Sequence, residues 1–334
     1  MSRRNLIQTV LGVLIAGGCI AFALRGVELE RMRAAWALVD LRWIAASTGA
    51  LLLAHLLRAV RWRILLAPVA QTRTTGLFSA LLIGYAANSI LPAHLGEFLR
   101  AFVASRNSPG LSASAAFATI VVERILDVLF LTALLGAIVV VHPFPDWLVT
   151  SGWILLGGSA VLAGLLVLGK RREDRAVGLL GAVLRPLPGP WRGKVEALAK
   201  RFLSGIVPLG SASRYGAVAG LSLAIWLGYA VMNHTCLEAF GLVDEYRLPW
   251  TVGPVVLVFT TIAVVVPSTP GYVGTYHVLC QLALAFFGIP PSEALSFAVV
   301  AHLVNIVPVI VLGFACAQRE GVALLAAAQK ERPA

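Results

Sequence analysis

Few residues in this chain are charged. Asp, Glu, Lys and Arg make up 13% of its 334 residues, about half the roughly 25% of soluble domains. That shortage excludes a disordered segment, a coiled coil and an ordinary cytosolic enzyme. Cysteine is rarer still: Cys19, Cys236, Cys280 and Cys316 show no CxxC spacing, which excludes a disulfide scaffold and a zinc cluster. Each lies in an apolar stretch, where cysteine acts as a small hydrophobe. There is no HExxH and no GxSxG. The nearest approach to a P-loop, Gly164–Lys170, is followed by Arg171 rather than Ser or Thr, and no strand precedes it, so it is read as coincidence. No metal and no cofactor are expected. Acids are short as well, 16 against 27 bases, for a net charge of +11. A nucleic-acid-binding domain clusters its bases on a soluble fold. Here they fall in gaps between apolar runs, so nucleic acid is not an expected partner.

What the chain does have is apolar length: 59% hydrophobic residues and a mean hydropathy of +0.86. A bilayer core of about 30 Å needs roughly 20 apolar residues as helix. Candidate spans are Leu6–Leu24, Trp43–Ala67, Gly76–Ala104, Ser112–Val141, Trp147–Gly169, Tyr215–Cys236, Trp250–Phe287 and Ser292–Ala317. Lys and Arg mark the cytoplasmic side. The polar loop 170–214 holds ten of the bases, Lys170 to Arg214, and so is placed inside. Within it Trp191, Val195, Leu198, Phe202 and Ile206 recur at helical spacing, an amphipathic helix on the anionic inner leaflet. The stretches 142–146 and 237–249 carry four acids and one arginine and are placed outside.

Parity then requires Gly76–Ala104 and Trp250–Phe287 each to begin and end on one face. Both contain a Pro/Gly break, Pro92 to Gly96 in the first and Pro267, Pro270 and Gly271, followed by Gly274, in the second. The expected fold is all-α: a polytopic membrane protein of one integral-membrane domain, with about six full spans and two re-entrant helical hairpins. Units at about 76–141 and 250–317 form an inverted repeat, and both termini lie inside. Inverted repeats with broken helices are common construction in secondary transporters. Irregular backbone at membrane depth lines a cavity or is buried in protein.

Five charges interrupt apolar helix. Glu97 and Arg100 follow the first break at i and i+3 on one helical face. Glu123, Arg124 and Asp127 lie within Ser112–Val141. Each costs roughly 3 kcal/mol at mid-bilayer on insertion scales, so they must pair or face water. An ion-pair network clipping the hairpin to its neighbour is one reading and a polar path the other. His94 and His277 adjoin the breaks and His302 lies in the last helix, where imidazole can relay protons or meet phosphate. His55 and His234, on plain helices, are read as structural. Arg58, Arg61 and Trp62 end the second span and are expected to anchor headgroups at the membrane surface.

Four motifs in order, RAVRWRILL (Arg58–Leu66), NSILPAHLGEFLRAF (Asn88–Phe102), VVERILDVL (Val121–Leu129) and VVPSTPGYVGTYH (Val265–His277), resemble a flippase-like membrane family. It is related to the transmembrane region of lysylphosphatidylglycerol synthases. The resemblance spans about residues 6–318 and implies a bacterial-type inner-membrane, multi-pass protein that moves a lipid or its headgroup between leaflets. The matching positions are Pro92, Gly96, Glu97, Arg100, Glu123, Arg124, Asp127, Pro267, Pro270, Gly271 and Gly274. The family often has arginine where His94 stands, an acid near His277 and arginine near His302. A secondary transporter for an anionic or polyprenyl-linked lipid is therefore expected. Arg100 and Arg124 would hold phosphate, Glu97, Glu123 and Asp127 would orient them, and His94 or His277 would assist. The alternatives are an integral-membrane lipid-phosphate transferase or hydrolase with a carboxylate base, and a scaffold for a partner enzyme. Membrane lipids are the expected partners.

Overall fold

A computed structural model describes residues 17–90, 95–141, 209–265 and 270–322, with scattered positions between 146 and 197. Among the described residues the chain is helical and contains no strand. Its helices are α1 (Leu29–Ala37), α2 (Leu41–Leu66), α3 (Thr74–Ile90), α4 (Gly96–Arg106), α5 (Ala113–Val141), α6 (Ala212–Ala239), α7 (Leu242–Glu245), α8 (Val252–Val265), α9 (Thr275–Ala285) and α10 (Pro291–Arg319). A single 3-10 turn, Pro270–Tyr272, separates α8 from α9. Among the described residues, α2, α6 and α10 are long and apolar enough to cross a membrane, with 26, 28 and 29 residues. At 1.5 Å per residue each reaches roughly 39–44 Å, beyond the apolar core. α5 matches α10 in length, 29 residues, but carries three charges in its first half.

The four helices that flank the two breaks are each shorter than the roughly 20 residues that an apolar core of about 30 Å needs. α3 and α4 have 17 and 11 residues, α8 and α9 have 14 and 11, so the longest reaches only about 26 Å. Both pairs fold back. The backbone N–H of Gly96 donates to Asn88 Oδ1 at 2.8 Å, and just beyond α4 Asn107 lies beside Gly76, so α4 retraces α3. In the second pair Phe259 of α8 meets Phe286, just past α9, with ring centroids 5.6 Å apart. The helix pattern therefore occurs twice, two short arms and then a 29-residue helix. Leu6–Leu24 is described only from residue 17, where it is helical to residue 23, and Trp147–Gly169 only at scattered positions. His94, Pro92, Pro267 and the amphipathic helix of loop 170–214 lie outside the described residues. α1 was not expected: its sequence, LERMRAAWA, is too polar and too short to register as a span.

Contacts divide the chain into two compact units, residues 1–56, 81–96 and 224–334 in one and 57–80 and 97–223 in the other. In the first, α8 packs on α9, α9 on α10 and α10 on α1. Trp36 Nε1 donates to the Ser296 carbonyl at 3.4 Å and the Glu28 amide to Ser292 Oγ at 2.9 Å. Gly313 brings α10 against α3, since a Cβ there would stand 2.5 Å from the Leu82 carbonyl oxygen. In the second unit, Leu65, Leu209 and Val218 form a buried cluster with Val122 and Leu126. Phe98 of α4 stacks on Phe117 of α5, with ring centroids 4.6 Å apart.

Gly96 is the tightest of these junctions. A Cβ there would overlap the Gly84 carbonyl oxygen and stand 2.5 Å from Asn88 Oδ1. Gly96→Ala forces backbone apart rather than a side-chain end, which costs about 1–3 kcal/mol or more. The expected outcome is a lowered melting temperature of the purified protein in detergent, with Gly136→Ala, a helical position where the space is open, as the comparison for lost glycine freedom. Equal melting of the wild type and Gly96→Ala would contradict the fold-back.

Candidate functional site

The five helical charges do not stand alone. Together with Arg58 and Arg61 of α2 they form a closed circuit of alternating sign. Asp127 Oδ1 meets Arg61 at 2.8 Å, Arg61 meets Glu123 at 3.5 Å, and Glu123 meets Arg100 at 2.6 Å. Arg100 then approaches Glu97 at 4.0 Å, Glu97 meets Arg124 at 3.1 Å, and Arg124 returns to Asp127 at 3.6 Å. Arg58 attaches to the other oxygen of Asp127 at 2.7 Å. Arg61 also donates to Ser222 Oγ of α6 at 2.9 Å. The indole of Trp62 lies beneath Arg100, with Cζ 3.9 Å from the ring centre, and its Nε1 donates to Thr119 Oγ1 at 2.9 Å. Four helices are thus held by one circuit whose hub is the acid pair of α5.

The spacing explains why it closes. Glu123 and Asp127, at i and i+4, share a face of α5, while Arg58 and Arg61, at i and i+3, share a face of α2. Charges in a low-dielectric interior persist only when each meets a partner with good geometry. The shortest links, 2.6 to 2.8 Å, all join side chains that are less than 10% exposed. Among the described residues four guanidiniums meet three carboxylates.

Exposure within the circuit is uneven. The side chains of Arg61, Arg100 and Glu123 are 0% exposed, whereas Glu97 is 17% and Arg124 43% exposed. The Glu97–Arg124 pair is also joined to the rest by the two longest links, 4.0 and 3.6 Å. An anion from outside would therefore reach Arg124 first. Arg100, expected to share that role, is buried against Glu123 and Trp62 and does not present its guanidinium. A second correction concerns Arg58, Arg61 and Trp62. Expected among headgroups at the surface, all three are buried inside the protein. Buried carboxylates on α5 attract the two guanidiniums more strongly than an interface could, and Trp62 is enclosed with them. Sequence reasoning missed these arginines as members of the cluster, although their i, i+3 spacing facing an i, i+4 acid pair was a readable signal.

The second break is braced separately, in the other unit. Gly271 and Gly274 have φ of +71° and +92°, left-handed backbone that glycine adopts without a Cβ penalty. Gly271 sits against the Ser89 carbonyl oxygen near the end of α3. His277 Nδ1 accepts from the Gly274 amide at 3.3 Å, fastening the start of α9. Tyr276 stacks on His302 of α10, with centroids 4.5 Å apart, and His277 meets the same ring edge-on at 5.0 Å. Tyr276 Oη and His302 Nε2 are buried and have no hydrogen-bond partner among the described residues. Pro270 opens the 3-10 turn. His55 packs at a tilt of 54° against the Tyr85 ring and its Nδ1 lies 3.1 Å from the Tyr229 hydroxyl, while His234 approaches Glu238 at 3.6 Å. Among the described residues no group of three or more His, Cys, Asp or Glu could hold a metal ion.

Long apolar helices that enclose a circuit of ion pairs define an integral membrane protein. Within that class, the chain belongs to the family described as the lysylphosphatidylglycerol synthase TM region, which matches residues 9–313. It is similar to "Glycosyltransferase AglD" of Haloferax volcanii, 26% identical over 337 residues that cover 90% of this chain and 52% of that protein. The chain thus spans about half the length of that relative. A "UPF0104 membrane protein" of Methanothermobacter thermautotrophicus is 25% identical over 259 residues, 72% of this chain and 73% of the relative. No solved structure matches the chain.

Proposed function

We propose that this protein is a secondary transporter of flippase type, moving an anionic or polyprenyl-linked lipid, or its headgroup, between the leaflets of a bacterial-type inner membrane. The observation that carries the reading is the Glu97–Arg124 pair, the most exposed part of the circuit, joined to the rest by its two longest contacts. A phosphate would take Arg124 from Glu97, because a guanidinium fork fits phosphate bidentately. The buried remainder, Arg61, Glu123, Arg100 and Asp127, holds Arg124 and its helix in register. Membership of a family described by a lipid synthase region supports a lipid as the cargo. In this reading α3–α4 and α8–α9 are re-entrant hairpins inserted from opposite faces. α3–α5 and α8–α10 are then inverted repeats, and both termini lie inside. Arm lengths below the bilayer thickness and the contact of Gly271 with Ser89 support it.

Lipid transferase chemistry is the second reading, favoured by the word glycosyltransferase in the name of the relative from Haloferax volcanii. It would need a carboxylate free to take a proton, and Glu97, Glu123 and Asp127 each face an arginine. A scaffold that recruits such an enzyme is compatible with the same cluster but gives the exposed arginine no task.

The test is translocation in sealed phosphatidylcholine vesicles, followed by quenching of fluorescent phosphatidylglycerol or fluorescent polyprenyl phosphate from outside. With protein present, the inner-leaflet probe of at least one lipid should become quenchable faster than in protein-free vesicles. Identical rates for both probes would contradict the proposal.

A further inference from the structure

A cluster of basic and hydroxyl side chains lies in the same unit as the charge circuit, at another place. Where α2 ends and α6 begins, an open cleft of about 750 Å³ lies between Arg63, Gln71 and Thr72 on one side and Ser213 and Arg214 on the other. That volume falls within the roughly 300–1,000 Å³ of small-molecule sites. Ala67 and Ala217 line it with small side chains and so leave the space open. At 100° per residue, Arg63 points to nearly the opposite side of α2 from Arg61, so it is exposed where Arg61 is buried.

The chemistry of the lining is one-sided. Two guanidiniums, an amide and two hydroxyls face the cleft, and among the described residues no carboxylate does. Elsewhere in this unit the buried arginines are matched by acids. Here Arg63 has no ion-pair partner among the described residues, and the Arg214 guanidinium donates to the Leu209 carbonyl at 3.1 Å, a bond that fixes its direction. Thr72 Oγ1 is buried and makes no hydrogen bond among the described residues. A buried hydroxyl without a partner in a native protein marks a place where something else bonds. Donors of this number, with positive charge and no competing acceptor, suit a ligand that is anionic and rich in acceptor oxygens.

We infer that this cleft binds a phosphate group, held between Arg63 and Arg214 with Thr72 and Ser213 donating to its remaining oxygens. The phosphate is either that of a soluble phosphate ester or that of a lipid headgroup reaching up from the adjacent leaflet. This assignment is independent of lipid translocation and of the Glu97–Arg124 pair, so either can fail alone.

The test uses the full chain purified in detergent. Inorganic phosphate binding is measured by calorimetry, and retention of added phosphatidylglycerol by native mass spectrometry. Two variants act by different means. The double variant Arg63→Gln/Arg214→Gln removes charge, and Ala217→Phe fills the space with the charges kept. All three positions are exposed, so the variants should remain folded. At least one probe should bind the wild type and weaken at least tenfold in both variants, with the wild-type affinity falling as salt is raised. Loss of inorganic phosphate binding assigns the site to a soluble ester. Loss of phosphatidylglycerol retention alone assigns it to a headgroup. If neither probe binds the wild type, or both variants bind as the wild type does, the inference is wrong.

Discussion

Asp127→Ala should destabilise the protein by about 3–5 kcal/mol, the cost of breaking a buried ion pair and stranding the partner charge. Asp127 holds Arg58 at 2.7 Å and Arg61 at 2.8 Å, both buried. Its loss leaves Arg58 without that carboxylate and Arg61 with only the 3.5 Å contact to Glu123 and the Ser222 hydroxyl. Both guanidiniums are buried, so solvent does not readily replace what is removed. The measurement is unfolding of the purified protein in mixed micelles under increasing denaturing detergent. Removing Arg58 as well should cost less than the sum of the two single changes, because the second change removes a charge the first left unpaired. Additive losses, or a variant as stable as the wild type, would show that the circuit does not hold the helices together.

Arg124→Ala should have the opposite profile. Its side chain is 43% exposed and its links to Glu97 and Asp127 are 3.1 and 3.6 Å. Half-exposed pairs of this kind contribute only about 0–1 kcal/mol, so unfolding should barely change. Translocation should fall to the rate of protein-free vesicles, since the cation that meets the phosphate is gone. Arg124→Lys should retain part of the rate, because the charge persists while the two-pronged geometry is lost. Full translocation by Arg124→Ala would assign the cluster a purely structural role. The two variants separate the halves of one circuit: the buried half sets stability and the exposed half sets function.

Much of the hairpin architecture was legible because proline and glycine act locally. The break expected at Pro92–Gly96 falls where α3 ends and α4 begins, and that at Pro267–Gly271 falls between α8 and α9. Glu97 and Arg100, and Arg124 and Asp127, were readable as neighbours because i, i+3 pairs meet on any helix. The partners of Glu123 were not, since they depend on which face of α2 turns toward α5. Arg58, Arg61 and Trp62 at the end of an apolar run have the composition of an interfacial anchor, and only the fold distinguishes anchor from core. The stacking of Tyr276 on His302 joins two helices and had no local signature. The amphipathic helix expected in loop 170–214 falls outside the described residues.

In the proposed topology two hairpins enter the membrane from opposite faces and turn back. Single cysteines placed in a cysteine-free background at residues 73, 107, 250 and 288, labelled with a membrane-impermeant maleimide in sealed vesicles of known orientation, test it directly. Residues 73 and 107 should be labelled together from the cytoplasmic face, and residues 250 and 288 together from the other. If 73 and 107, or 250 and 288, are labelled from different faces, the arms cross the bilayer and the inverted repeat does not exist.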